Sequence, residues 1–113
     1  MPDINPEEAV AKYVEFAQVQ LFQANLVPEP TSRADMMDEA KDLLLKAEKL
    51  RRGSGSYLLA AISAQNGNRD LCRKWLMRAF NSAAPPKREA IEKDALFASV
   101  RKAKWFKRLL SEL

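Results

Sequence analysis

Apolar residues recur every three or four positions along most of this 113-residue chain, and this spacing limits its fold more than any other feature. No stretch shows the strict alternation of apolar and polar residues that is typical of a strand with one buried face. Prolines and glycines interrupt the pattern at 27–30, 53, 66–68 and 85–86, where helices end or connect. The sequence therefore predicts an all-α fold with about five or six helices, packed as antiparallel helical hairpins.

These interruptions set the bounds of the predicted helices. The first covers residues 7–26, the second runs from its cap to Leu50, and the third covers 57–64 after a cap at Ser54 or Ser56. The fourth begins near Arg69, runs through Phe80 and is closed by Pro85–Pro86. The fifth covers 87–93 and is followed by a turn at Asp94, and residues 96–113 offer a final docking helix. We predict Thr31 or Ser32 as the N-cap of the second helix, because a hydroxyl oxygen can accept a hydrogen bond from a free backbone N–H. Pro85 and Pro86 are expected in the first turn of the fifth helix, where a missing N–H costs little.

Composition argues against most kinds of catalysis. The chain contains no histidine, which excludes histidine-based acid/base catalysis, histidine-activated nucleophiles and the commonest zinc and iron ligand sets. The single cysteine, Cys72, falls at a helix-packing position and is predicted to be buried and inert. Paired carboxylates lie on polar helix faces, without an apolar pocket to separate their pKa values. We therefore expect no enzymatic activity, no cofactor and no metal ion.

The N-terminal sequence and the lengths of the apolar runs predict a location. Residues 1–10 contain two prolines and three acids, where a secretory signal needs a basic start and an apolar stretch. No apolar run approaches the roughly 18 residues that a membrane span needs. One cysteine cannot form an internal disulfide, which is compatible with a reducing compartment. A cytoplasmic location without a membrane span is expected.

Residues 54–86 carry a helix–turn–helix pattern of small and bulky positions. Its small residues are Ala60, Cys72 and Ala79, and its bulky residue is Leu76. The glycine-containing turn is Asn66–Asn68, and the closing proline is Pro85. This order resembles one tetratricopeptide repeat (TPR), whose two helices nest closely and present a surface to the next pair. Ser56 and Ser63 stand where the family favours tryptophan and tyrosine.

The segments on either side of this repeat extend the resemblance to roughly residues 34–110. Residues 7–52 repeat the second-helix pattern with Ala40, Leu44 and Ala47, and they form a degenerate repeat with a stretched connection. Residues 87–113 resemble the ending of many bacterial repeat proteins, in which a Phe-x-x-Leu-Leu helix seals the last repeat. The resemblance implies that residues 1–113 form a single TPR-like domain, a short α-solenoid.

The resemblance to TPR proteins implies that the chain holds another protein, as an adaptor or accessory subunit. In that family the first helix of each pair lines a concave groove that accepts a partner protein or peptide. The candidate residues of this protein-binding groove are Tyr57, Ala61, Ala64, Gln65, Arg88 and Ile91. Tyr57 and Ala61 occupy the first two places where chaperone-binding members use lysines and asparagines, so binding of a heat-shock chaperone tail is not expected.

Charge is distributed unevenly and suggests alternative functions. Residues 1–50 hold ten acidic and five basic residues (net −5), whereas residues 51–113 hold five acidic and fourteen basic residues (net +9). The run 101–108 mixes cations with two aromatic residues, a combination found in nucleic-acid-binding proteins. Its candidate contacts are Arg101, Lys104, Lys107 and Arg108. The alternatives are therefore a small basic nucleic-acid-binding protein and a self-assembling structural protein that forms a homo-oligomer.

Overall fold

A computed structural model describes residues 5–112, which fold into helices without a strand. The helices are α1 Pro6–Leu26, α2 Pro30–Leu50, α3 Ser56–Gln65, α4 Arg69–Phe80, α5 Arg88–Lys93 and α6 Lys104–Glu112, with a 3-10 turn at Ala95–Phe97. The predicted all-α fold is confirmed. Within residues 5–112, none of the helices has the length and apolar character needed to cross a membrane.

The chain divides into two compact units, Met1–Gly55 and Ser56–Leu113, called unit 1 and unit 2 below. The division falls two residues inside the predicted repeat 54–86, close to its boundary with the degenerate repeat 7–52. Each unit contains one helical hairpin, α1–α2 in unit 1 and α3–α4 in unit 2. The predicted continuation of these hairpins into a solenoid, as a single domain over residues 1–113, stays a prediction.

The start of α2 differs from the prediction. Thr31 and Ser32 lie inside the first turn, and the helix begins at Pro30 with Glu29 at the N-cap position. Glu29 makes no side-chain cap hydrogen bond. The prediction of a hydroxyl cap is wrong because a proline in the first turn removes one of the N–H groups that would need a cap and already has a helical φ angle.

Small residues line the contact between α1 and α2. The buried residues are Val10, Ala17, Leu21 and Ala24 of α1 and Ala40, Leu44 and Ala47 of α2. Alanines at this contact let the two helix backbones approach closely, while the leucines fill the space between them. Gln20 Nε2 donates a hydrogen bond of 2.8 Å to Glu39 Oε2, which joins the two helices at the edge of the contact.

Gly55 packs directly against α2 at the end of unit 1. A β-carbon at this position would lie 2.8 Å from the carbonyl oxygen of Leu44 and 3.2 Å from its β-carbon. Real β-carbons do not come so close to a backbone oxygen. The close approach of the two backbones therefore requires glycine here.

The turn between α3 and α4 forms as the sequence predicts. Gly67 has a φ of 73°, in the left-handed region that glycine adopts readily. Its N–H donates to the Ala64 carbonyl at 3.1 Å, and the Asn68 N–H donates to the Ser63 carbonyl at 2.8 Å, which is a Schellman ending. The Asn68 side chain then accepts a hydrogen bond of 3.1 Å from the Leu71 N–H and caps α4.

The core of unit 2 is formed by α3 and α4 together with the C-terminal segment. Its buried residues are Ala60, Ala61, Ala64, Cys72, Leu76, Ile91, Phe97, Val100, Phe106, Leu109 and Leu110. Phe97 lies inside this core, with its ring centre 5.5 Å from the rings of both Tyr57 and Phe106. The C-terminal segment therefore completes the core of unit 2 by direct packing.

The C-terminal segment is less helical than predicted. The docking helix expected within 96–113 is confined to Lys104–Glu112. The turn at Asp94 is at its predicted place after the fifth helix. Asp94 Oδ1 accepts a hydrogen bond of 2.9 Å from the Leu96 N–H, and Oδ2 accepts one of 2.5 Å from the Tyr57 hydroxyl. These two bonds stabilise the 3-10 turn Ala95–Phe97, so Phe97 and Val100 lie before the final helix and not within it.

The fifth helix is also shorter at its start than predicted. It begins at Arg88, so Pro85 and Pro86 precede it and do not lie in its first turn. Lys87 has an extended conformation with ψ of 141° and serves as the N-cap residue. The prolines therefore form part of the connection between α4 and α5.

Candidate functional site

A pocket of about 410 Å³ opens beside α6 in unit 2. It is called the basic pocket here and is lined by Arg88, Glu92, Arg101, Phe106, Lys107, Leu110 and Ser111. The residues from α6 are adjacent or four positions apart, which places them along one flank of that helix. The volume lies within the range of about 300–1,000 Å³ that is typical of small-molecule binding pockets.

The basic pocket has an apolar floor and a cationic edge. Phe106 and Leu110 are buried and form the floor, while Arg88 and Lys107 are exposed. Neither of these two cations forms an ion pair with another residue in the described range 5–112. Three basic residues face a single lining carboxylate, Glu92, so the pocket attracts negatively charged groups.

A hydrogen bond to the backbone holds the Arg101 side chain in place. Its Nη2 donates a hydrogen bond of 3.0 Å to the carbonyl oxygen of Asp94. The Asp94 carboxylate is itself fixed by the Tyr57 hydroxyl. Because a guanidinium has five N–H donors, Arg101 can keep this bond and still donate to a ligand in the pocket.

Tyr57 and Gln65, two of the predicted groove residues, use their polar atoms inside unit 2. Burial, followed by the hydrogen bond and charge of Asp94, raises the pKa of Tyr57 well above its ordinary value, so its hydroxyl stays a donor. Gln65 Nε2 donates to the Leu96 carbonyl at 3.3 Å. Both side chains therefore connect α3 to the turn that follows α5.

The other predicted groove residues separate into buried and exposed groups. Ala61, Ala64 and Ile91 are buried in the core of unit 2, where they pack inside the unit and do not face an open groove. Arg88 is exposed and lines the basic pocket. Of the six groove candidates, Arg88 thus lies in a pocket that a ligand can enter.

The four residues predicted in the basic tail belong to different surfaces. Arg101 and Lys107 line the basic pocket, whereas Lys104 is exposed and lines neither of the two pockets described here. Arg108 lines a second pocket of about 200 Å³. This one is called the tryptophan pocket and is lined by Arg69, Asp70, Arg73, Trp105, Arg108 and Leu109.

The structure brings together residues that the sequence assigns to separate sites. Arg88 belongs to the predicted groove and Lys107 to the predicted basic tail, yet both line the basic pocket. Phe106 and Leu110 are predicted only as packing residues of the final helix, although their four-residue spacing already indicates a common flank. The sequence gives no signal for Glu92, because its place depends on how the chain turns between α5 and α6.

Cys72 is buried in the core of unit 2. Burial raises the pKa of this thiol to about 12, so the reactive thiolate is scarce at neutral pH. We expect an aromatic disulfide reagent, which releases a coloured thiol when it reacts, to label Cys72 far more slowly in the native protein than in urea. Absorbance of the released thiol measures both rates, and equal rates in the two conditions would contradict burial as the protecting factor.

Ser111 brings a hydroxyl group to the basic pocket. The Ser111 hydroxyl donates to the Arg108 carbonyl at 2.6 Å, and no histidine is present to activate it. Across residues 5–112, no three cysteine, aspartate or glutamate side chains are grouped closely enough to hold a metal ion.

Comparisons of this chain with protein-family models, curated proteins and solved structures give no match.

Proposed function

We propose that this chain is a non-catalytic protein-interaction module that binds an acidic segment of a partner protein at the basic pocket. One observation carries the proposal: Arg88 and Lys107 are exposed and free of ion pairs within the described residues, beside the apolar floor of Phe106 and Leu110. A peptide with carboxylates next to an apolar side chain matches this combination. Its carboxylates would bind the cations while its apolar side chain fills the pocket.

The resemblance to TPR proteins supports the same class of function. The α3–α4 hairpin has the small residues Ala60, Cys72 and Ala79 buried, as two closely nested helices require. The proposed contact surface lies beside the C-terminal helix and does not use the buried residues of the predicted groove. We propose a role as an adaptor or accessory subunit in the cytoplasm, which a single unpaired and buried thiol favours.

Charge reversal at Lys107 tests the proposal. Lys107→Glu removes a cation from the pocket and adds a like charge, so it should weaken binding of an acidic peptide about tenfold or more, equivalent to about 1.4 kcal/mol. Lys104→Glu is the matched control, because Lys104 is exposed on the same helix outside the pocket. Fluorescence anisotropy would measure binding of labelled peptides rich in aspartate and glutamate with one central leucine or phenylalanine.

Peptides that carry alanine at the central position test the apolar floor. They should bind more weakly than the leucine and phenylalanine peptides, because alanine leaves the surface of Phe106 and Leu110 uncovered. Equal losses in Lys107→Glu and Lys104→Glu would show that total charge matters and that the pocket does not. Equal binding of the alanine and leucine peptides would contradict insertion of a side chain.

The tryptophan pocket favours a second candidate function, the binding of single-stranded nucleic acid. Trp105 is half-buried there beside Arg69 and Arg108, which could bind phosphates while the indole stacks on a base. Arg73 in the same pocket is paired with Glu112 at 3.0 Å, which lowers the positive charge available. The peptide proposal is therefore the stronger one.

Two neighbouring residues of α6 separate the two functions. Lys107 lines the basic pocket and Arg108 the tryptophan pocket. If the chain binds nucleic acid, Arg108→Glu should weaken binding of a labelled oligonucleotide, and this binding should fall steeply with salt concentration. Loss of peptide binding in Lys107→Glu alone, with no oligonucleotide binding, would favour the protein-interaction module.

A further inference from the structure

The side of α1 that faces away from α2 carries an exposed row of large apolar side chains. The row consists of Phe16, Val19, Phe22 and Leu26, which are 58, 48, 67 and 68 % exposed. Their three- and four-residue spacing places them on one face of the helix, opposite the face with the buried Ala17. This row is called the outer stripe. A contiguous exposed apolar surface of this kind is typical of an interaction site.

We propose that the outer stripe binds the outer stripe of a second copy of this chain, in an antiparallel pair with its two-fold axis at Val19. This inference does not depend on the proposed function of the basic pocket. Phe16 lies three residues before Val19 and Phe22 three residues after it. In an antiparallel pair, each Phe16 therefore meets Phe22 of the second copy, and Val19 meets Val19. The stripe is complementary to itself under this symmetry.

The charges along α1 favour the antiparallel arrangement. Lys12 and Leu26 lie equally far from Val19 on opposite sides, so Lys12 of one copy would lie near the C-terminal end of the other α1. The last turn of α1 contains no basic residue, and a cation near the negative end of a helix is stabilising. Glu15 would lie level with Gln23, whose amide can donate to a carboxylate. A parallel pair would instead place Glu15 beside Glu15 and Lys12 beside Lys12.

A second copy explains the outer stripe better than a lipid surface does. Helices that lie on membranes carry lysines and arginines next to their apolar face and are attracted to anionic lipids. α1 carries Glu7, Glu8 and Glu15 against a single cation, Lys12. Its net negative charge would be repelled by an anionic bilayer.

The size of the outer stripe predicts a weak dimer. An aromatic side chain offers roughly 200 Å², so the exposed parts of Phe16 and Phe22 amount to roughly 250 Å² per copy. With Val19, Leu26 and the methylene groups of Lys12, two copies would bury about 1,000 Å², near the lower limit of specific interfaces. We therefore expect a dissociation constant in the micromolar range.

Substitutions at the two-fold axis test the pairing. Val19→Glu places two carboxylates against each other and should raise the dimer dissociation constant about tenfold or more; Val19→Lys should act alike through two ammonium groups. An equimolar mixture of the two variants should dimerise again, because each glutamate then meets a lysine. Gln18→Glu is the matched control, since it adds the same charge at an exposed position of α1 outside the outer stripe. Sedimentation equilibrium over the micromolar range measures association, and circular dichroism checks the helix content of each variant.

The outcomes separate this pairing from its alternatives. A wild-type chain that stays monomeric through the micromolar range would overturn the proposal, as would a Val19→Glu variant that dimerises like the wild type. A mixture of the two variants that remains monomeric would also overturn it. Binding of a monomeric wild-type chain to phosphatidylserine-containing vesicles, lost in Val19→Glu, would assign the stripe to lipid. Acidic-peptide binding by Val19→Glu remains a separate readout, so a failure of the dimer does not imply a failure of the basic pocket.

Discussion

Replacing Phe97 by alanine should lower the free energy of unfolding of unit 2 by about 3–5 kcal/mol. The side chain is fully buried, and its ring contacts the rings of Tyr57 and Phe106 at centre distances of 5.5 Å. Truncation removes both ring contacts and leaves a cavity between α3 and α6. The folded state of a typical domain is stabilised by only about 5–15 kcal/mol, so this loss is a large share of the total.

Urea unfolding followed by tryptophan fluorescence measures this loss, because both tryptophans, Trp75 and Trp105, lie in unit 2. Phe97→Leu keeps part of the side-chain volume and should lower the free energy of unfolding by about 1–2 kcal/mol. This variant can therefore be measured even if Phe97→Ala does not fold. Met77→Ala is the control in the same unit, since it removes a partly exposed side chain and should cost less than about 1 kcal/mol. Equal losses for Phe97→Ala and Met77→Ala would contradict a central role for the Phe97 ring.

Gly55→Ala should destabilise unit 1 by about 1–3 kcal/mol. The new β-carbon would lie 2.8 Å from the Leu44 carbonyl oxygen, so one of the two backbones must shift. Leu44 lies within α2, where a shift of the carbonyl would weaken a helical hydrogen bond and loosen the contact with α1. Thermal unfolding followed by far-ultraviolet circular dichroism should show a lower midpoint.

Gly67 supplies the control for this substitution. No atom lies within 4 Å of a β-carbon built at Gly67. A substitution there is limited by the backbone conformation alone, because Gly67 has a φ of 73°. Asparagine tolerates this conformation, so Gly67→Asn should cost less than about 1 kcal/mol. A Gly55→Ala variant as stable as Gly67→Asn would disprove the close contact between Gly55 and Leu44.

Helix bounds could be predicted where residues near in sequence decide them. α4 begins at Arg69 as expected, because Asn68 caps its start and the preceding glycine turn ends α3. The 3-10 turn Ala95–Phe97 that follows α5 is different in kind. The hydrogen bond from Tyr57 to Asp94 joins residues far apart in the chain, and apolar periodicity carries no information about it. Phe97 and Val100 therefore fit the apolar pattern of the predicted docking segment 96–113, although the helix in that segment starts only at Lys104.

The candidate site could be predicted residue by residue but not as an assembly. Arg88, Arg101 and Lys107 were all identifiable as exposed cations on or beside helices. Their convergence on one pocket depends on the 3-10 turn that brings α6 beside α5, and on Arg101 bonding to the Asp94 carbonyl. A pocket formed by three short elements leaves no spacing that a sequence pattern could reveal.

Each flank of α6 lines a different pocket, and this arrangement makes the two surfaces separately mutable. Residues 106, 107, 110 and 111 line the basic pocket, whereas 105, 108 and 109 line the tryptophan pocket. Evolution could therefore alter the ligand preference of one flank by single substitutions while the other stays unchanged. Insertion of one residue near the start of α6 would instead rotate all later side chains by about 100°, and would disrupt both pockets and the core together. In homologues, we expect substitutions along this helix and no insertions or deletions.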